Sequence, residues 1–155
     1  MSPEEFIDEL RSHNEPTLAD IQSIEVMCRA HPHCAELWNC FGDMIVLSAG
    51  LRPREQALEC YQKAIAIDPQ FAEGHESLGY FYDTYCDNFE TAAEHFQRAI
   101  ELGAGDDSKV GLARVLAQTG KNIEAIAILD TCVDARHPQV TKLRDEINAG
   151  DWRPL

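Results

Sequence analysis

The sequence predicts an all-α chain of about nine helices, paired antiparallel and stacked into an α-solenoid. Two observations carry that expectation: one residue pattern recurs three times at a near-constant interval, and the flanks carry helix start and stop signals. Each repeat opens with a long or aromatic residue, followed by a large apolar, a small and another large apolar one. These are Trp38, Phe41, Gly42 and Ile45, then His75, Leu78, Gly79 and Tyr82, then Lys109, Leu112, Ala113 and Leu116. A second helical stretch follows each time, with Ala57, Tyr61 and Ala64, then Ala92, Phe96 and Ala99, then Ala125, Leu129 and Cys132. The leading alanines at 57, 92 and 125 lie 35 and 33 residues apart.

Taken in order, residues 1–32 read as a degenerate leading helix pair within a single domain, 1–155. Ser2-Pro3-Glu4-Glu5 places a capping serine, a proline at the first helical position and a glutamate at the third, so a helix runs to about Ser12. Thr17 caps a second helix with Leu18, Ile21, Ile24 and Cys28 on one face, and Pro32 stops it. The repeats occupy 35–69, 72–104 and 106–137, the first with three extra residues in its turn within Ser48 to Glu55 and ended by Pro69. Gly42, Ala64, Gly79, Ala99 and Ala113 fall where paired helices must approach closely, since a larger side chain there overpacks by roughly 1–3 kcal/mol. Pro138 opens a capping helix over 138–150 with Val140, Leu143 and Ile147 on its buried stripe, and Gly150 is placed to end it. In the tail, 151–155, Trp152 either covers the end of that helix or meets a partner.

The pattern resembles the tetratricopeptide repeat over roughly residues 35–139. That family carries Trp, Leu, Gly and Tyr on its first helix, Ala and Phe on its second, and then Pro. Lys109 departs from the leading aromatic and Ala104 from the closing proline of the second repeat. The resemblance implies a superhelix whose first helices line a concave side, and a protein that binds other proteins and catalyses nothing. With 100° per residue, Glu36, Asn39, Cys40, Asp43, Val46 and Leu47 fall opposite the packed face of the first repeat. Glu73, Glu76, Ser77, Tyr80, Asp83 and Thr84 do so in the second, and Asp107, Val110, Gly111, Arg114, Ala117 and Gln118 in the third.

This inner face holds six acids and one base, which makes Glu36, Asn39, Cys40, Asp43, Glu73, Glu76, Ser77, Tyr80, Asp83, Asp107 and Arg114 the candidate partner-binding residues. A basic or polar peptide in an acidic groove is the first reading, and a solvated face is the plain alternative. Glu73 and Glu76 repel along one helix, a strain that a ligand's Lys or Arg relieves. Tyr80 is a candidate anchor for a partner side chain, or a ring folded against neighbouring helices. The family's clamp for chaperone-tail carboxylates needs Lys, Asn and Arg where this chain has Asn39, Asp43, Ser77, Asp107 and Gly111, so that clamp is absent.

Composition sets further bounds. With 27 acidic against 13 basic residues and a formal charge of −14, neither nucleic acid nor an anionic membrane is the expected partner. The first twenty residues form no signal or transit peptide and no apolar run is long enough to span a bilayer, so a cytoplasmic protein is expected. Six cysteines within helical periodicity read as reduced thiols, with Cys60 and Cys132 as small packing residues and Cys40 facing the groove. His31-Pro32-His33-Cys34, with Cys28 and Cys40, lacks the close ligand pairs of a zinc site and reads as a solvated turn. His75 is expected to be a packing residue, and Gly103-Ala104-Gly105 a connector with no preceding strand. No catalytic residues, cofactor or metal ligands are expected. Beside the adaptor reading, which implies a monomer or weak dimer, stand a small acidic chaperone for a secretion or assembly client and a self-assembling scaffold.

Overall fold

The computed structural model describes residues 1–152, and nine α-helices with no strand account for their regular structure. These are α1 (Pro3–Arg11), α2 (Leu18–Ala30), α3 (Ala35–Leu47), α4 (Arg54–Ile67), α5 (Ala72–Cys86), α6 (Phe89–Glu101), α7 (Asp106–Gln118), α8 (Asn122–Leu129) and α9 (Pro138–Ala149). The helices gather into two compact units, Met1–Gly74 and His75–Leu155, with the boundary inside α5. No helix among the described residues is long and apolar enough to cross a membrane.

In the N-terminal unit the expected caps form. The Ser2 hydroxyl accepts from the Glu5 N–H at 3.2 Å while the Glu5 carboxylate accepts from the Ser2 N–H at 2.8 Å. Thr17 makes the same reciprocal pair with Asp20, whose carboxyl is held below its ordinary range chiefly by the Thr17 backbone N–H. Helices α1, α2 and α4 all pack on α3, over a core that includes Ile21, Ile24, Cys28, Leu37, Phe41, Ile45, Ala57, Tyr61 and Ala64. Gly42 is required there: a Cβ at that position would lie 2.5 Å from the Tyr61 ring. Leu18, expected on the buried stripe of α2, is 48% exposed because it is the first residue of the helix, ahead of the turn that faces α3.

In the C-terminal unit α7 packs against α6, α8 and α9. Val110, Ala113, Ala117, Ala125, Leu129, Cys132, Val140, Leu143 and Ile147 form one apolar cluster, and Trp152 packs against it, as the covering role required. A second cluster gathers Ala92, Phe96, Leu112 and Val115, with Tyr80 and Tyr82 beside it. The Phe96 ring lies between two glycines: a Cβ on Gly79 of α5 or on Gly111 of α7 would come within 2.7 or 2.5 Å of it. Ala104 supplies no proline, but α6 still stops cleanly. Gly103 turns left-handed at φ 95° and the Ala104 N–H reaches back to the Ala99 carbonyl at 2.9 Å, the bond that closes a helix at a glycine.

Gly111→Ala is expected to lower stability by about 1–3 kcal/mol, because the Phe96 ring is enclosed and has nowhere to yield. A urea titration followed by circular dichroism measures it; an unchanged midpoint would show that the ring moves aside.

Candidate functional site

The first-helix positions singled out as a groove are mostly contact positions between helices. On α3, Asn39 and Cys40 are fully buried, which corrects the expectation that Cys40 faces the groove; burial pushes its thiol up to about 12, so it is held protonated. Val110, Gly111 and Ala117 of α7 are likewise buried, because the apolar clusters of the C-terminal unit wrap further round α7 than a single packed stripe allows.

Within the N-terminal unit the structure joins Asn39, Asp43 and Glu73. The Asn39 amide donates to Glu73 at 3.3 Å and to Asp43 at 3.5 Å, and the Tyr61 hydroxyl donates to Asp43 at 2.9 Å. Glu73 also takes an ion pair from Arg11 of α1. Its repulsion is thus met inside the protein, by a cation that the repeat pattern does not contain. Asn39 keeps one buried oxygen, Oδ1, with no hydrogen-bond partner among the described residues. Glu36 stands apart and exposed, accepting from the Cys34 thiol at 3.3 Å.

The C-terminal unit repeats the theme. Glu76 accepts from the buried Ser108 hydroxyl, and Arg114 grips Asp83 through Nε at 2.9 Å and through one Nη. Asp83 is only 6% exposed, a burial that its guanidinium partner makes tolerable. Tyr80 is half-buried: its ring meets Phe96 edge-on at 4.9 Å, and its hydroxyl donates to the Asp107 carbonyl at 2.8 Å. The ring is folded against neighbouring helices, one of the two readings the sequence left open for it; burial pushes its phenol up to about 12. Asp107 is exposed, and Ser77 half-buried.

A depression of about 450 Å³ lies between α5, α7 and α9, floored by Tyr80, Val110 and Leu143 and edged by Arg114, Gln139, Lys142, Glu146 and Trp152. The Trp152 indole donates to Glu146 at 3.2 Å, which fixes that wall. Gln139 and Lys142 are not singled out in the sequence because α9 reads there only as a cap, whereas Trp152 is named there as covering that helix or meeting a partner.

His75, buried as expected, faces His95 with their Nδ1 atoms 3.2 Å apart, and Tyr82 stacks on the His95 ring at 5.7 Å. Burial first, and His75 second, hold His95 below its ordinary range. Among the described residues no three His, Cys, Asp or Glu side chains come together as metal ligands, and His31 and His33 are exposed.

A family model described as TPR repeat matches residues 55–83, which covers nearly all of α4 and most of α5. No curated protein matches the chain.

The histidine pair sets a pH dependence. The unfolded chain protonates His95 near its ordinary value of about 6.5, while the folded chain resists, so stability falls as pH drops through that value and levels once the folded state protonates too. Thermal melts between about pH 7 and 5.5 are expected to show this loss, and His95→Phe, which keeps the ring, to flatten it; an equal slope in the variant would place the proton uptake elsewhere.

Proposed function

We propose that the chain is a tetratricopeptide-repeat protein, a reading that the repeat match over residues 55–83 supports, and that it is a non-catalytic binding module whose C-terminal unit holds a segment of another protein against α5, α7 and α9. The observation that supports this reading is the depression over Tyr80, Val110 and Leu143. Its apolar floor suits one side chain of the segment, while the Gln139 amide at the rim suits peptide groups. An apolar centre with polar groups at its edge is where interfaces concentrate binding energy.

Charge bears on which segments arrive. The formal −14 favours a basic partner, because the field of the whole protein acts before contact is made. The acids of the inner face do not contribute equally. Glu73 and Asp83 are met by guanidinium groups, which cancels part of the charge they could project. Steering by the exposed Glu36 and Asp107, and anchoring in the depression, then divide the work of recognition.

An array of short peptides graded in charge and apolar content tests this. Basic peptides bearing one large apolar side chain are expected to bind, and to weaken as salt rises. Gln139→Trp fills the depression from its exposed rim and is expected to cost about ten-fold in affinity with an unchanged circular dichroism spectrum. Salt-resistant binding that follows apolar content alone would favour a chaperone for an apolar client. Full binding by Gln139→Trp would remove this face from the site.

A further inference from the structure

Two acids of α5 are paired with arginines, and the two pairs differ in kind. Asp83 is buried, and Arg114 of α7 holds it through two nitrogens. The Glu73 side chain is 43% exposed, and its cation is Arg11, the last residue of α1, which lies outside the repeats. Arg11 is itself 45% exposed and reaches Glu73 through a single Nη. An exposed pair held at one point contributes little to stability, so another cation can replace its own at small cost. The seating of α1 does not depend on this contact, because Ile7 and Leu10 are buried and the helix packs on α3 through them.

Around Glu73 the repeats build more than a lone surface acid. Its Oε1 accepts from Arg11 and, at 3.3 Å, from the Asn39 amide, while its Oε2 has no hydrogen bond among the described residues. The same amide donates to Asp43 at 3.5 Å, so one fully buried side chain spans two carboxylates. Asn39 is aimed into this cluster although its own Oδ1 lies buried without a partner. A neutral amide orients a carboxylate without cancelling its charge, and an oriented carboxylate is what a guanidinium or ammonium group binds most strongly.

We propose that Glu73, held by Asn39 beside Asp43, is a docking point for an arginine or lysine side chain of a partner protein, and that Arg11 is its internal plug, occupying the place until a partner's cation takes it over. This rests on the reading of the chain as a binding module, but not on the depression of the C-terminal unit. An internal occupant lowers the apparent affinity for an external one in proportion to the fraction of molecules in which the place is open. Arg11 thereby sets a threshold that a weakly basic segment does not pass.

The test is fluorescence anisotropy of the full chain at low salt with a labelled peptide of alternating glycine and arginine, which has no large apolar side chain for the depression to seat. Arg11→Gln is expected to bind it about three-fold more tightly than the wild type does. Adding Glu73→Gln to that variant is expected to weaken binding about ten-fold. Arg29→Gln removes the same charge from an exposed position near the end of α2, and Gln139→Trp fills the C-terminal depression. Both are expected to bind as the wild type does. All these side chains lie outside the core, so the circular dichroism spectra are expected to coincide. An Arg11→Gln chain that gains no affinity, or whose gain survives Glu73→Gln, overturns the proposal. An equal gain in Arg29→Gln overturns it in favour of net charge, and a loss confined to Gln139→Trp overturns it in favour of the C-terminal face.

Discussion

The C-terminal unit is organised around one close approach, the Phe96 ring set between Gly79 and Gly111. Carbon atoms pack best at about 3.5–4.0 Å, and an added methyl on either side would fall about an ångström short of that. The absence of both side chains therefore lets α5 and α7 close on one ring. Their remaining contacts follow from that spacing. Glu76 meets Ser108, Tyr80 meets Asp107 and Arg114 meets Asp83 because the two helices stand within hydrogen-bonding reach of each other. A buried ion pair is a weak source of net stability by itself. Burial of the ring contributes roughly 1.5–3 kcal/mol, and the polar pairs fix the register in which it is achieved.

Much of this architecture was legible from the sequence, for a specific reason. The helices are defined by local chemistry: capping boxes at Ser2 and Thr17, Pro138 opening α9, and a left-handed Gly150 closing it. The small positions Gly42, Gly79, Ala64 and Ala99 are likewise fixed by packing that recurs each period, so repetition exposes them. Gly111 was placed on the inner face, away from the packing, because it serves the preceding repeat's ring and not its own pair.

The inner face was harder to read because a helical wheel knows one helix at a time. It placed Asn39, Cys40, Asp83 and Val110 away from the packed stripe, and all four are buried. The partners lie about one repeat along the chain: Asn39 with Glu73 at 34 residues, Ser108 with Glu76 at 32, Arg114 with Asp83 at 31. Polar residues that complement each other one period apart are thus a readable sign of contact between successive first helices. Arg11 carries no such sign, since α1 lies outside the repeats.

Asn39 shows what this internal wiring costs. Its amide nitrogen serves Asp43 and Glu73 at once, while its oxygen lies buried without a donor, a penalty of about 1–3 kcal/mol. A leucine there would avoid that penalty but leave two carboxylates without their shared neutral donor. A lysine would supply charge but would have to bury an ammonium in a position with no exposure at all. An amide is the one compromise that bridges two acids in a buried slot without adding a charge. The acids on this face are accordingly committed first to the fold, and whatever field they project toward a partner is what remains after that commitment.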